Sequence, residues 1–294
     1  SGSVVNYSPA LAPSPGERNV YGPESGSFRY LSASGVMDHR KMSVFFETAV
    51  MNEKERAFIS GIVLRRNTVR ACLAVRRYSI KYWALRASSL SMFGNPSNEE
   101  GGYAAVEAKL PFEMNLEGSL DMARTLGRTY SANMPLSRKK TFISAGRKLH
   151  RYVDSRISYR LTRDSGENAA RESLAWRIES DFGRLSPCRL RALAAWSAQG
   201  DMGGPYGEAS VGYAGKGPRI EMNVGIFSLP SYQARFYRYE TNVPGRGSSG
   251  AVWGRGVSMV SVCGLGAVSI RYRAVRSDQM GVQQEITLQG DCGF

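Results

Sequence analysis

Histidine is scarce in this chain, with 2 in 294 residues, and cysteine is nearly as rare, with 4. The cysteines are Cys72, Cys188, Cys263 and Cys292, and none form a C-x-x-C pair. That argues against a zinc ribbon, and their scatter offers no disulfide framework, so a reducing compartment is expected. No apolar run approaches the roughly 18 residues that a membrane-spanning helix needs. The expectation is a soluble chain with no transmembrane segment. Asp154 and Asp164 show no metal-ligand grouping, so neither a metal nor a cofactor is expected. The glycine-rich stretch Gly212–Gly217 lacks the spacing of a phosphate loop. No internal repeat is present.

Basic residues are plentiful. Lys and Arg number 39 against 25 Asp and Glu, for a net charge of +14. That balance favours polyanions, and RNA is a candidate partner. Hydrophobic residues make up 42% of the chain, which excludes a disordered polypeptide. The chain begins Ser1-Gly2-Ser3, which is not a secretory signal. Release from a longer precursor and an artificial start both account for it. Either way, the expected location is a host cytoplasm and not a secretory route.

Three regions are expected. Residues 1–35 are rich in Ser, Pro and Gly and read as a flexible arm. Residues 36–100 read as a basic β-rich region. There Tyr78, Ile80 and Tyr82 alternate with polar neighbours, and Asn67-Thr68 suits a hairpin tip. Arg65, Arg66, Arg70, Arg76, Arg77 and Lys81 make this surface the nucleic-acid candidate, with a merely solvated edge as its alternative. Asn95-Pro96-Ser97-Asn98 then signals a linker. Residues 101–294 form the third region. Residues 115–128 suit a short helix. Ala170, Leu174, Ile178 and Leu185 fall near helical spacing, and Ser186-Pro187 resembles a helix start, so 165–198 suggests two helices. Beyond Gly203, strands are expected at Val211–Tyr213, Ile220–Phe227, Tyr232–Tyr239, Val257–Val262 and Val268–Val275.

The clearest chemical motif is Gly247-Ser248-Ser249-Gly250. A nucleophilic serine needs a tight turn that exposes Oγ and aims backbone N–H groups at the developing oxyanion. A strand at Tyr232–Tyr239 leads into this motif, and Val257–Val262 with Cys263-Gly264 follows it. From about Gly127 to about Ile270 the chain resembles the chymotrypsin-like serine proteases of sobemoviruses and poleroviruses. Asp181 lies in a segment similar to that around the family's triad aspartate, and 249 − 181 = 68 and 181 − 150 = 31 resemble the family separations. The resemblance implies Ser249 as nucleophile, His150 as base and Asp181 as its orienting partner. It also implies an oxyanion hole from the Gly247 and Ser249 N–H groups, and Cys263 in the specificity pocket. One departure stands at the base. Thr141–Arg147 resembles the family's histidine segment with Arg147 in the histidine position, and arginine stays protonated. Either His150 serves or the base is lost. Pro244 also stands where the family has threonine.

The expected fold is therefore mostly β with some α: a chymotrypsin-like double β-barrel preceded by a basic β-rich region. Two functions compete. One is a serine endopeptidase, active or degenerate, that acts on a viral polyprotein or peptide substrate and has a basic RNA- or membrane-associating N-terminal part. The other is a non-enzymatic viral nucleic-acid-binding protein of capsid or movement type.

Overall fold

The structure is a computed structural model. It describes residues 2–7, 26–82, 90–93, 97–128, 135–165, 170–181, 187–214, 219–230, 236–240, 248–265 and 268–290. Every regular element among them is a strand. In chain order they are β1 Gly2–Tyr7, β2 Gly26–His39, β3 Met42–Met51, β4 Glu55–Arg65, β5 Val69–Tyr78, β6 Glu99–Leu110, β7 Met114–Arg124, β8 Ser137–His150 and β9 Val153–Asp164. Then follow β10 Arg171–Asp181, β11 Cys188–Gln199, β12 Met202–Ala214, β13 Arg219–Leu229, β14 Phe236–Glu240, β15 Ser248–Val252, β16 Gly254–Leu265, β17 Val268–Ser277 and β18 Gly281–Gly290.

Hydrogen-bonded order follows chain order, except that β16 succeeds β13 while β14 and β15 pair only with each other. This overturns the expected fold. A chymotrypsin-like double barrel with some α structure is replaced by an all-β antiparallel meander. Residues 115–128, expected to form a helix, lie largely in β7, and 165–198 holds β10 and most of β11. The physical reason is a shared divisor. Ala170, Leu174 and Ile178 are four apart, and a spacing of four keeps residues on one face of a helix and of a strand alike.

Contacts divide the chain into two compact units. The first comprises Ser1–Leu110, Leu116–Ile143 and Leu161–Asn168; the second comprises Pro111–Asn115, Ser144–Arg160 and Ala169–Phe294. Within the first, β1 pairs with β2, so parts of the 1–35 segment are ladder strands, while residues 8–25 lie outside the described residues. The β4–β5 hairpin turns through residues 66–68 as expected, with the Arg66 amide donating to the Val69 carbonyl at 2.7 Å. β5 stops at Tyr78, so Ile80 and Tyr82 belong to the turn beyond it.

Each unit has a small core at the strand ends. In the first, Ala49, Met51, Ala57, Tyr78 and Tyr82 cluster, with Tyr30 packed against them. Burial lifts the Tyr82 phenol above its ordinary value, and the nearby Glu47 and Tyr78 add to the shift. In the second, Tyr206, Phe227, Leu229, Val252 and Val275 cluster. Gly204 sits beside that core. A Cβ there would stand 1.8 Å from the Ser228 carbonyl oxygen, so only glycine lets the ends of β12 and β13 approach this closely.

The expected linker at Asn98 is a clamp. Residues 94–96 lie outside the described residues, but Asn98 is buried with φ of 52°. Its Oδ1 accepts from the Leu126 amide at 3.0 Å and the Gly127 amide at 2.7 Å, and its Nδ2 donates to the Arg128 carbonyl at 3.1 Å. Asparagine tolerates that left-handed backbone better than most residues. Asn98→Ala strands the half-buried Gly127 amide, leaves the Leu126 amide only its 3.4 Å bond to the residue 98 carbonyl, and loses the conformational preference. A loss of about 2–3 kcal/mol is expected in a denaturant titration.

Candidate functional site

The alternation of side chains along these strands has an unusual sign. In the second unit the register places Leu190, Ala192, Ala194 and Trp196 of β11 on one face. Beside them stand Gly207, Ala209, Val211 and Tyr213 of β12, and Ile220, Met222, Val224 and Ile226 of β13. No Asp, Glu, Lys or Arg of β11, β12 or β13 stands on that face. Its large side chains are nonetheless exposed: Trp196, Val211, Met222, Val224 and Ile226 all face outward. The same face continues onto β16 and β17 with Val257 and Ile270, also exposed.

The opposite face holds the charge. Arg191 Nη2 donates to Glu208 at 3.1 Å, and the Tyr206 hydroxyl donates to Glu208 at 2.5 Å. Asn223 and Ser258 are buried there, and Arg271 is 4% exposed.

The first unit repeats the arrangement. Register puts Val44 and Phe46 of β3, Phe58, Ile62 and Leu64 of β4, Leu73 and Val75 of β5, and Ala104 and Val106 of β6 on one face. On β4, β5 and β6 the charged residues of that face, Arg56, Arg77 and Glu100, all stand at one end of the strands. The other face contains a buried ionic cluster. Arg76 and Glu99 are fully buried and joined, and Arg76 Nη2 donates to Asp121 at 2.9 Å. Glu99 also accepts from Ser91 Oγ at 2.7 Å, the Met92 amide at 3.0 Å and the Phe93 amide at 3.3 Å. It thereby fastens residues 91–93 over the strand ends. Arg138 makes a two-pronged pair with Asp164 at 2.5 and 2.6 Å and lies over the Phe93 ring at 4.9 Å.

The residues expected to bind nucleic acid do not share one face. Arg65, Arg70 and Arg76 fall on the charged face by register, and Arg77 on the apolar one. Arg65 donates to Ser43 Oγ at 2.9 Å, Arg70 lies 3.9 Å from Glu107, and Arg77 lies 3.7 Å from Glu100. Arg76 is withdrawn from solvent altogether. Arg66 and Lys81 are exposed turn residues.

The expected triad residues are placed as follows. His150 ends β8, with its ring 5.6 Å from that of Tyr152. Asp181 ends β10. Its amide donates to the Tyr152 carbonyl at 2.9 Å, and its carboxylate accepts from Arg189 Nη2 at 2.8 Å. His150 and Asp181 thus both neighbour Tyr152. Ser249 lies in β15, opposite Tyr239 of β14, in the separate two-stranded sheet. Cys263 is exposed on β16, in register with Ile220 and Ile270. Arg147 is exposed on β8. Gly247 and Pro244 lie outside the described residues.

Glu99, Asp121 and Arg138 escaped the sequence reading, and Asp164 was weighed only as a metal ligand. Their signal is weak, because pairing a carboxylate with an arginine on another strand requires the register.

No family model matches this chain, and no curated protein does. Among solved structures it is similar to the siderophore receptor PirA from Acinetobacter baumannii, with a TM-score of 0.48 and 9% identity over 91% of this chain and 57% of that one. It is also similar to CdiB from Acinetobacter baumannii, with a TM-score of 0.41 and 9% identity over 90% of this chain and 57% of that one. The chain thus spans 57% of the length of each. At these scores neither likeness bears on what this chain does.

Proposed function

We propose that this chain is a membrane-embedded β-sheet protein, with its apolar face against lipid hydrocarbon and its charged face turned away from lipid. The observation that supports it most is the uncharged, exposed apolar face of β11, β12 and β13 set against the half-buried Arg191–Glu208 pair and the buried Asn223 on the reverse. A water-soluble sheet is arranged the other way, with apolar residues inward and charges outward. Exposed apolar patches beyond a few hundred Å² on soluble proteins mark a bounded contact site. Here the apolar rows recur on strand after strand in both units, which suits a continuous solvent better than one docked partner.

Strand length fits. The strands from β2 to β13 and from β16 to β18 run from 10 to 14 residues. Typical strands have about 5–6 residues, and a tilted bilayer crossing takes about 9–11. Trp196 and Tyr213 lie near opposite ends of β11 and β12, since Trp196 pairs with Pro205 and Cys188 pairs with Tyr213. Eight rungs separate them (196 − 188 = 8), roughly 26 Å along the strand. Aromatic residues at both edges of an apolar band of about 25 Å are characteristic of spanning sheets. No helix among the described residues is long and apolar enough to cross a membrane, which has no bearing on a strand-built crossing.

The endopeptidase expectation came from the Gly247-Ser248-Ser249-Gly250 motif and its spacing to His150 and Asp181, and the described residues do not form the chymotrypsin-like double barrel it implied. The nucleic-acid reading needs one basic face, and its arginines divide between two.

Tryptophan quenching tests the proposal. Trp176 and Trp196 are both exposed on the apolar side. The chain has 4 tryptophans; variants that keep Trp176 or Trp196 as their single tryptophan, reconstituted in phosphatidylcholine vesicles, are expected to lose most of their emission when the acyl chains are brominated. Equal emission in brominated and plain vesicles, from a chain that stays dispersed in water, would overturn the membrane reading.

A further inference from the structure

A groove of about 850 Å³ opens at one end of the first unit's sheet. Its floor is apolar, with Phe58, Val75 and Met122 all exposed, and its rim carries Arg77, Arg124, Lys139 and Arg163. Phe58, Arg77 and Glu100 occupy one rung of the apolar face, and Val75 and Gly102 the next rung on that face. The groove therefore lies where the apolar rows give way to charge. Glu100 is the one carboxylate on this side of the rim; it pairs with Arg124 at 2.5 Å and stands 3.7 Å from Arg77. Four cations against one anion leave the rim strongly positive. The remaining carboxylate of the lining, Asp164, is held by Arg138.

We infer that this groove holds an anionic phospholipid, with its phosphate on Arg124, Lys139 and Arg163 and its acyl chain along Val75 and Met122. The inference rests on the membrane reading. Charge complementarity and continuity with the apolar face select the occupant. An oligonucleotide would use the cations but would leave the apolar floor uncovered. A phospholipid satisfies both at the boundary where headgroups lie, and basic clusters there attract anionic lipid. The volume falls in the range of ligand sites, in a groove that is largely open along one side.

The test uses the full chain in detergent micelles and dioleoyl phosphatidylglycerol as the probe, with bound lipid counted by native mass spectrometry. Wild type is expected to retain phosphatidylglycerol in preference to phosphatidylcholine. The triple variant Arg124→Gln/Lys139→Gln/Arg163→Gln is expected to weaken that retention on the order of a hundredfold, about fivefold per residue. Millimolar inorganic phosphate should not displace the lipid. The single variant Lys139→Glu, at an exposed position, is a milder check with unaltered circular dichroism. Retention unchanged in both variants overturns the lipid site, as does displacement by phosphate alone. Salt-sensitive binding of a 20-nucleotide RNA that the triple variant loses, without lipid retention, also overturns it. Tryptophan quenching in phosphatidylcholine vesicles separates the two claims. Quenching without phosphatidylglycerol retention leaves the membrane reading standing and removes the lipid site, whereas no quenching removes both.

Discussion

On the proposed membrane reading, Val224→Arg is expected to lower the stability of the chain in a bilayer by about 2–4 kcal/mol, the cost of a guanidinium on a lipid-facing strand near mid-membrane. Val224 is central on β13 and 41% exposed, between Met222 and Ile226 on the uncharged face. In water the same substitution at an exposed strand position would stay within about 0.5 kcal/mol. The sign and size of this one change therefore decide which solvent that face meets. Gln283→Arg is the matched control. Gln283 is exposed and pairs with Val275 on the opposite face, so a shift within about 0.5 kcal/mol is expected. Denaturant unfolding of the chain in phosphatidylcholine vesicles measures both. A neutral Val224→Arg contradicts the membrane assignment.

Arg76→Met costs about 3–5 kcal/mol, because it leaves the Glu99 carboxylate buried without its cation. Glu99 keeps the Ser91 hydroxyl and the Met92 and Phe93 amides, which offset only part of the lost charge. Arg76→Lys recovers little. One ammonium cannot reproduce the fork that meets Glu99 and Asp121 together. The triple change Arg76→Met/Glu99→Gln/Asp121→Asn removes all three charges and is expected to recover most of the loss, a non-additivity typical of groups in one network. The midpoint of thermal unfolding in micelles reads all three variants. If Arg76→Met were neutral, the cluster would not be the fastening that holds residues 91–93.

Much of the strand pattern was legible. Glycine and proline bracket the strands beyond Gly203, and the expected cores at Val211–Tyr213, Ile220–Phe227, Val257–Val262 and Val268–Val275 all fall within β12, β13, β16 and β17. The hairpin tip after Arg65 was legible from the Asn67-Thr68 pair. The helices assigned to 165–198 arose because four-residue spacing is common to both periods. Longer alternation separates them, as in Leu174 and Trp176 facing Trp196 and Ala194 across the β10–β11 ladder.

The candidate site was legible only in fragments. Arg76 and Arg77 are adjacent, so a strand sends them to opposite faces, one into a buried ion pair and one to a groove rim. Grouping them as a single basic surface ignored that parity. The Gly247-Ser248-Ser249-Gly250 motif is short, and glycine-rich turns are common in a meander. Its expected partners His150 and Asp181 close β8 and β10.

By itself, the order of residues determined where the chain turns and which side chains share a strand face, because glycine, proline and two-residue alternation act locally. Only the tertiary structure decided which face meets the outside. That choice depends on how neighbouring strands align, and the register here stacks Val211, Met222 and Ser261 on one side and Ser210, Asn223 and Val260 on the other.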